Sequence, residues 1–190
     1  MTTSNRNHPS TPTTAPSNTA QSRVDVPAAG DYRIDPQSST VAFTTRHLFG
    51  LAAVHGSFQL HGGQIRIVDP ARDSWATAAI SAASVQTGNP SRDASVRSPR
   101  LLATAASPDI TFTSTRLDQI DGHWVLGGDL SVRGVTHAIK VRIDDVHAAE
   151  TRLRLHATTR VDRYAFGITK YRGLAARHLT LRLDIIADRT

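Results

Sequence analysis

The stretch Ile139–Val161, IKVRIDDVHAAETRLRLHATTRV, decides the fold class. Ile139, Val141 and Ile143 alternate with Lys140, Arg142 and Asp144. After a polar break, Leu153, Leu155, Ala157, Thr159 and Val161 alternate with Arg152, Arg154, His156, Thr158 and Arg160. A period of two places every second side chain on one face of a strand, whereas a helix needs apolar spacings of three and four. These are two strands, each with one apolar face.

The same period extends in both directions. Toward the C-terminus, Leu179, Leu181, Leu183 and Ile185 oppose Thr180, Arg182 and Asp184. Toward the N-terminus, Trp124, Leu126, Gly128, Leu130 and Val132 share a face, bounded by turns at Asp121-Gly122 and Gly134. Earlier runs are Val41 with Phe43, then Val54, Gly56, Phe58 and Leu60, then Ala76, Ala78, Ile80 and Ala82. Gly62-Gly63 reads as a hairpin turn leading into Ile65 and Ile67. Eight or nine strands result, one of which the count splits. So many antiparallel strands with one apolar face either stack as two sheets or close into a barrel. Periodicity leaves that choice open.

One long break interrupts the strands, Ala82–Phe112, AASVQTGNPSRDASVRSPRLLATAASPDITF. Gly88, Asn89 and Pro90 end a strand. Ser91 is placed to cap a helical excursion around residues 91–104, with Asp93 in its first turn where negative charge suits the helix dipole. Pro108 stops further helix and returns the chain to a strand through Ile110 and Phe112. The excursion reads as a charged lid or plug.

This stretch and its flanks resemble the YceI-like polyisoprenoid-binding family. Ser84-Val85-Gln86-Thr87-Gly88-Asn89, Arg92-Asp93, Arg97-Ser98 and Pro108-Asp109-Ile110-Thr111-Phe112 carry the resemblance. So do Tyr32-Arg33-Ile34-Asp35, Ser38 to Phe43, His47 and Gly56-Ser57-Phe58 upstream, and Gly128-Asp129-Leu130, Gly134-Val135-Thr136 and Arg163 to Ile168 downstream. It spans roughly residues 31–188. The resemblance implies an all-β, eight-stranded antiparallel lipocalin-like β-barrel that holds a long apolar ligand. It also implies head-group or mouth positions at His47, Arg92 and Asp93. Two departures stand out: the run Lys170–Arg177, KYRGLAAR, before the last strand, and Leu101-Leu102 where the family has an aromatic pair.

An eight-stranded barrel is near the size at which side chains either fill the interior or leave room for one ligand. Alanine is depleted in strands, so Ala76, Ala78, Ala82, Ala157 and Gly128 on inward faces point to a cavity. Its apolar walls are expected to be Phe43, Val54, Phe58, Ala78, Ile80, Phe112, Leu126, Leu130, Val141 and Leu155. Burial gains about 0.8 kcal/mol per methylene, so about ten methylenes approach the roughly −8 kcal/mol of micromolar binding before costs. The expected partner is therefore an isoprenoid or long-chain amphiphilic lipid, bound, stored or transported without catalysis and without a cofactor.

Chemistry of other kinds is sparse. The chain has no cysteine, and its nine histidines form no His-x-x-x-His pair. No metal site is expected, although His55 and His61 could meet across a hairpin. No nucleophile elbow or phosphate loop occurs, so no catalytic residue is assigned. Asp35, Asp93 and Asp129 read as turn or cap residues.

Residues 1–29, rich in Ser, Thr, Pro and Asn, read as a disordered tail ahead of a domain at 30–188. That tail has no apolar core of the secretory kind, which makes cytoplasmic localisation the expectation. Many members of the resembled family are exported. The net charge of +6 sits mostly in the folded part. Arg152, Arg154, Arg160 and Arg163 read as an outer basic stripe, the basis of an alternative function in binding anionic membrane or nucleic acid. Under the lipid reading a transient membrane contact is expected and nucleic acid is not. A homodimer is compatible with either.

Overall fold

The computed structural model describes residue 1 and residues 27–47 and 51–190. Ten strand segments follow one another as β1 (Gly30–Ile34), β2 (Thr40–His47), β3 (Ala52–Phe58), β4 (Leu60–Ile67), β5 (Trp75–Ser81), β6 (Asp109–Ile120), β7 (His123–Val132), β8 (Val135–Ala148), β9 (Arg152–Asp162) and β10 (His178–Arg189). Every pairing is antiparallel, and β1 pairs with both β4 and β10, which closes the sheet. Because β10 pairs with β1 at one end and β2 at the other, β1 and β2 are halves of one broken strand. The hairpin partner breaks likewise, β4 lying on β1 and β3 on β2. Ten segments thus make an eight-stranded up-and-down barrel with no sandwich layer.

The first break is stabilised by side chains that substitute for the missing ladder. Asp35 Oδ1 accepts from the Gln37 and Ser38 amides, an Asx turn of the kind expected for this residue. The Ser39 hydroxyl accepts from Ile186 N at 2.9 Å, so β10 runs on unbroken past the gap. Elsewhere, bulges adjust the inward phase. In β8 the shift between Ile143 and Asp145 makes Val146, rather than Asp145, the next buried residue after Ile143. Two-residue turns at Asp121-Gly122 and Arg133-Gly134 have positive φ at both positions, the geometry whose twist suits a hairpin.

Four expectations change. Gly62-Gly63 is no hairpin: β4 runs through it, with a bulge between Leu60 and Gly62 against β5. The first two barrel strands are joined instead between β2 and β3, which pair antiparallel. Asp129 lies inside β7, opposite Thr113 and Ala138, rather than at a turn. The helix, α1 (Pro90–Arg97), is capped by Asn89, whose side chain accepts from Arg92 N, two residues earlier than Ser91. It stops at Arg97 because Pro99 forces Ser98 to extended backbone, and Ala103 then takes a left-handed conformation. Residues 2–26, most of the expected tail, lie outside the described residues. Residues 28 and 29 are tied to the barrel by Tyr32 Oη donating to Ala28 O and Arg189 Nη2 to Ala29 O.

Between β5 and β6 the chain leaves the sheet for residues 82–108 and lies across the flank of β3. Ser57 and Gln86 exchange two backbone hydrogen bonds of 2.9 and 3.0 Å, Val85 is fully buried, and Arg97 donates to Ala83 O and Val85 O. The excursion is a wall of the barrel as well as its cover.

Candidate ligand-binding site

The barrel interior is hydrocarbon along most of its axis. A cavity of about 110 Å³ is walled by side chains from all eight strands, Leu60, Ile80, Leu130, Val141, Leu181 and Ile185 among them. Thr77 and Thr159 are its polar side chains, and the Thr159 hydroxyl donates to Lys140 O. A second cavity of about 90 Å³ continues toward one end, under Trp75 and Trp124. Ile65, Ala76, Leu126, Ile143 and Leu155 wall both, so the two abut along the axis.

At the opposite end, where β9 runs out into Arg163, lies a larger chamber of about 310 Å³. Its floor is Phe43, Phe58 and Leu179, its lid Val96, Leu101 and Leu102 from the excursion, and its rim Arg46, Arg92, Lys170 and Tyr171. The Phe43 and Phe58 rings stand 5.3 Å apart. The residues next inward on the same strands, Val41 and Leu60, already face the axial cavity, so this ring pair separates chamber from axis.

Inward glycines serve these rings rather than leaving space. A Cβ on Gly128 would lie 2.5 Å from Phe112 Cζ, and one on Gly56 would lie 2.4 Å from Phe43 Cζ. The expectation that Gly128 opens room is corrected: the Phe112 ring occupies it. Room comes instead from Ala76, Ala78 and Ala157, which do line the axial cavities.

The ten residues expected at apolar walls divide in two. Phe43, Val54 and Phe58 line the chamber, and Ala78, Ile80, Phe112, Leu126, Leu130, Val141 and Leu155 line the axial cavities. Of the expected mouth residues, Arg92 reaches the chamber wall, with Nε on Thr87 Oγ1 at 2.7 Å and Nη2 on Thr87 O at 3.0 Å. Asp93 is buried and does not line the chamber, accepting from Thr87 N and Oγ1. These two residues hold the helix start through Thr87 and not through an ion pair with each other. His47 ends β2, and its side chain lies outside the described residues. His55 and His61 do not meet, since no hairpin joins them: His55 is bonded to Thr44 and His61 to Asp109.

The basic stripe loses a member. Arg163 is buried at 8% exposure and donates to the carbonyls of Ala176, Ile168, Lys170 and Ala175 at 2.7–3.0 Å. Burial pulls its pKa below the ordinary arginine value. Its parity was the available signal, because it continues the inward series Leu153 to Val161, whereas Arg152, Arg154 and Arg160 are outward. Arg152 is paired with Asp188 at 2.7 Å, which leaves Arg154 and Arg160 as the exposed remainder of that face. Arg163 anchors the 163–177 run that periodicity could not place. Asp162 clamps the same run, accepting from Arg177 Nη2 at 2.6 Å and from Tyr164 N. The Arg177 hydrogen bond holds its pKa down to about 2.

A closed barrel, an apolar axis and a helical cover are the features to set beside known proteins. The model of the YceI-like domain matches residues 32–187. This chain belongs to the YceI-like family. The YceI protein of Escherichia coli O157:H7 is 35% identical over 115 residues, a match spanning 58% of this chain and 59% of that relative. BcnA of Burkholderia cenocepacia superposes with a TM-score of 0.72 at 18% identity, over 80% of this chain and 98% of that one. A polyisoprenoid binding domain from Saccharophagus degradans superposes at 0.65 with 15% identity, over 86% of this chain and all of that one. At those identities the superpositions establish a shared YceI-like barrel. Among the described residues, no three His, Asp or Glu side chains come together in a group able to hold a metal ion, and no helix is long and apolar enough to cross a membrane.

Proposed function

We propose that this YceI-like barrel binds one isoprenoid or similarly long-chained amphiphilic lipid in its interior and stores or carries it unchanged. The observation that carries the reading is the axial cavity, walled by hydrocarbon inside a closed barrel. An apolar cavity of this kind stays dry and takes up apolar guests, as an engineered pocket of about 150 Å³ takes up benzene. Each methylene transferred from water adds about 0.8 kcal/mol, so affinity needs no reacting group. The description of the Saccharophagus degradans domain as polyisoprenoid binding supports the same reading.

The test is extraction of the purified protein followed by mass spectrometry, with a titration of polyprenyl alcohols followed by intrinsic fluorescence. The two tryptophans, Trp75 and Trp124, are the only ones in the chain, and both wall the outer axial cavity. The expected result is a recovered lipid and a saturable fluorescence change. Repeated recovery of no lipid, together with no saturable response to polyprenyl or acyl probes, overturns the reading.

A further inference from the structure

We propose that the bound lipid carries an anionic head group, a phosphate or a carboxylate, seated at the rim of the helix-end chamber with its tail directed at the Phe43–Phe58 pair. This rests on the lipid-binding reading above and adds the ligand's charge and its direction in the barrel.

Charge is distributed unevenly along the interior. Among the described residues, none that walls the axial cavities is charged. The chamber is walled, among the described residues, by Arg46, Arg92, Arg163 and Lys170 and by no Asp or Glu. The two nearest carboxylates in sequence are held by other donors and do not line the chamber. Asp93 is occupied by Thr87, and Asp162 by Arg177 and Tyr164 N. Arg163 is bound by four neutral carbonyls, which satisfy its donors without cancelling its charge.

The rest of the chamber surface is mostly apolar, Phe43, Phe58, Val96, Leu101, Leu102 and Ile168 among it, with Thr45, Thr87, Ser95 and Tyr171 as its uncharged polar members. A chamber with an apolar floor and a cationic, acid-free rim matches a molecule with the same division, a hydrocarbon chain ending in an anion. A neutral head group would desolvate those cations and return no charge-assisted hydrogen bond, so it would bind less well. A free inorganic anion would leave the apolar floor uncovered.

The test compares farnesyl phosphate, farnesoic acid and farnesol, which share a tail, on the full chain at low and high salt. Farnesyl phosphate and farnesoic acid are each expected to bind roughly tenfold or more tightly than farnesol, the worth of one charge-assisted hydrogen bond. That margin is expected to shrink with salt. A double variant, Arg46→Gln with Lys170→Gln, is expected to bring the anions down toward the alcohol. Should that variant fail to fold, the salt dependence of the unaltered protein decides alone. Preference for one anion over the other tells phosphate from carboxylate. Equal, salt-independent binding of all three overturns the head-group proposal and leaves the lipid reading standing. Binding of none of them, with no saturable response, overturns both.

Discussion

Inside a barrel this narrow, single atoms decide what the cavity can be. Gly128 is present because the Phe112 ring and the Thr113 carbonyl occupy the place of a side chain, at 2.5 and 2.6 Å from an added Cβ. The carbonyl belongs to the neighbouring strand and cannot swing aside. Gly128→Ala should therefore cost about 1–3 kcal/mol through overpacking, read as a lowered urea midpoint with an unchanged slope. Arg163→Lys tests a different contact. An ammonium cannot reproduce a planar fork spread over four carbonyls, and each buried carbonyl left without a donor costs about 1–3 kcal/mol. The expected outcome is a loss of about 3 kcal/mol or more in the unfolding free energy, with faster amide exchange confined to residues 168–177. The inward face of Gly128 was legible in the sequence, whereas Arg163 reads with the outer stripe although its parity is inward and it is buried. What could not be read was the occupant of the space: a glycine among inward apolar residues looks like an opening until the neighbouring strand's register places a ring on it.

Elements follow from the same logic with more tolerance. The alternating runs from Ile110 onward appear as strands because a one-residue slip would turn the whole apolar set outward. The Gly62-Gly63 reading failed because glycine pairs mark bulges as well as turns, and only the pairing of Leu60 with Ile80 and Gly62 with Ala79 separates the two. The excursion was legible from its prolines, while its helix proved shorter, since Pro99 acts on the residue before it. Asn89→Ala should remove about 1 kcal/mol of cap, and because α1 roofs the chamber, ligand dissociation should quicken more than global stability falls. Stopped-flow displacement against urea unfolding compares the two. The 163–177 run carries a pH dependence. Asp162 ionises near 2 when folded, against an ordinary 3.8. A depressed carboxyl contributes fully above its unfolded pKa and loses that contribution as the pH falls toward its folded one. Amide exchange in residues 163–177 should therefore rise between about pH 3.8 and 2, and Asp162→Asn should abolish that rise.

At the scale of the molecule, the barrel is a series of compartments, and a tail of increasing length should report them in order. The benzene-sized guest of a 150 Å³ pocket has six carbons, so the chamber of about 310 Å³ accommodates about 12 carbons on that scale. The axial cavities of about 90 and 110 Å³ accommodate about 8 more between them. Each added methylene should tighten binding about fourfold, the equivalent of 0.8 kcal/mol. With the head at the cationic rim, that slope should hold to about 12 carbons and flatten at the Phe43–Phe58 pair. Longer tails must displace those rings, after which the slope should resume toward about 20 carbons. Tryptophan fluorescence should change only in this second range, because Trp75 and Trp124 lie at the far end of the axis. Phe58→Ala should erase the flat region and bring the fluorescence change to shorter tails. A response from the shortest chains in the unaltered protein would mean that ligands arrive under the tryptophans and that the direction assigned here is reversed.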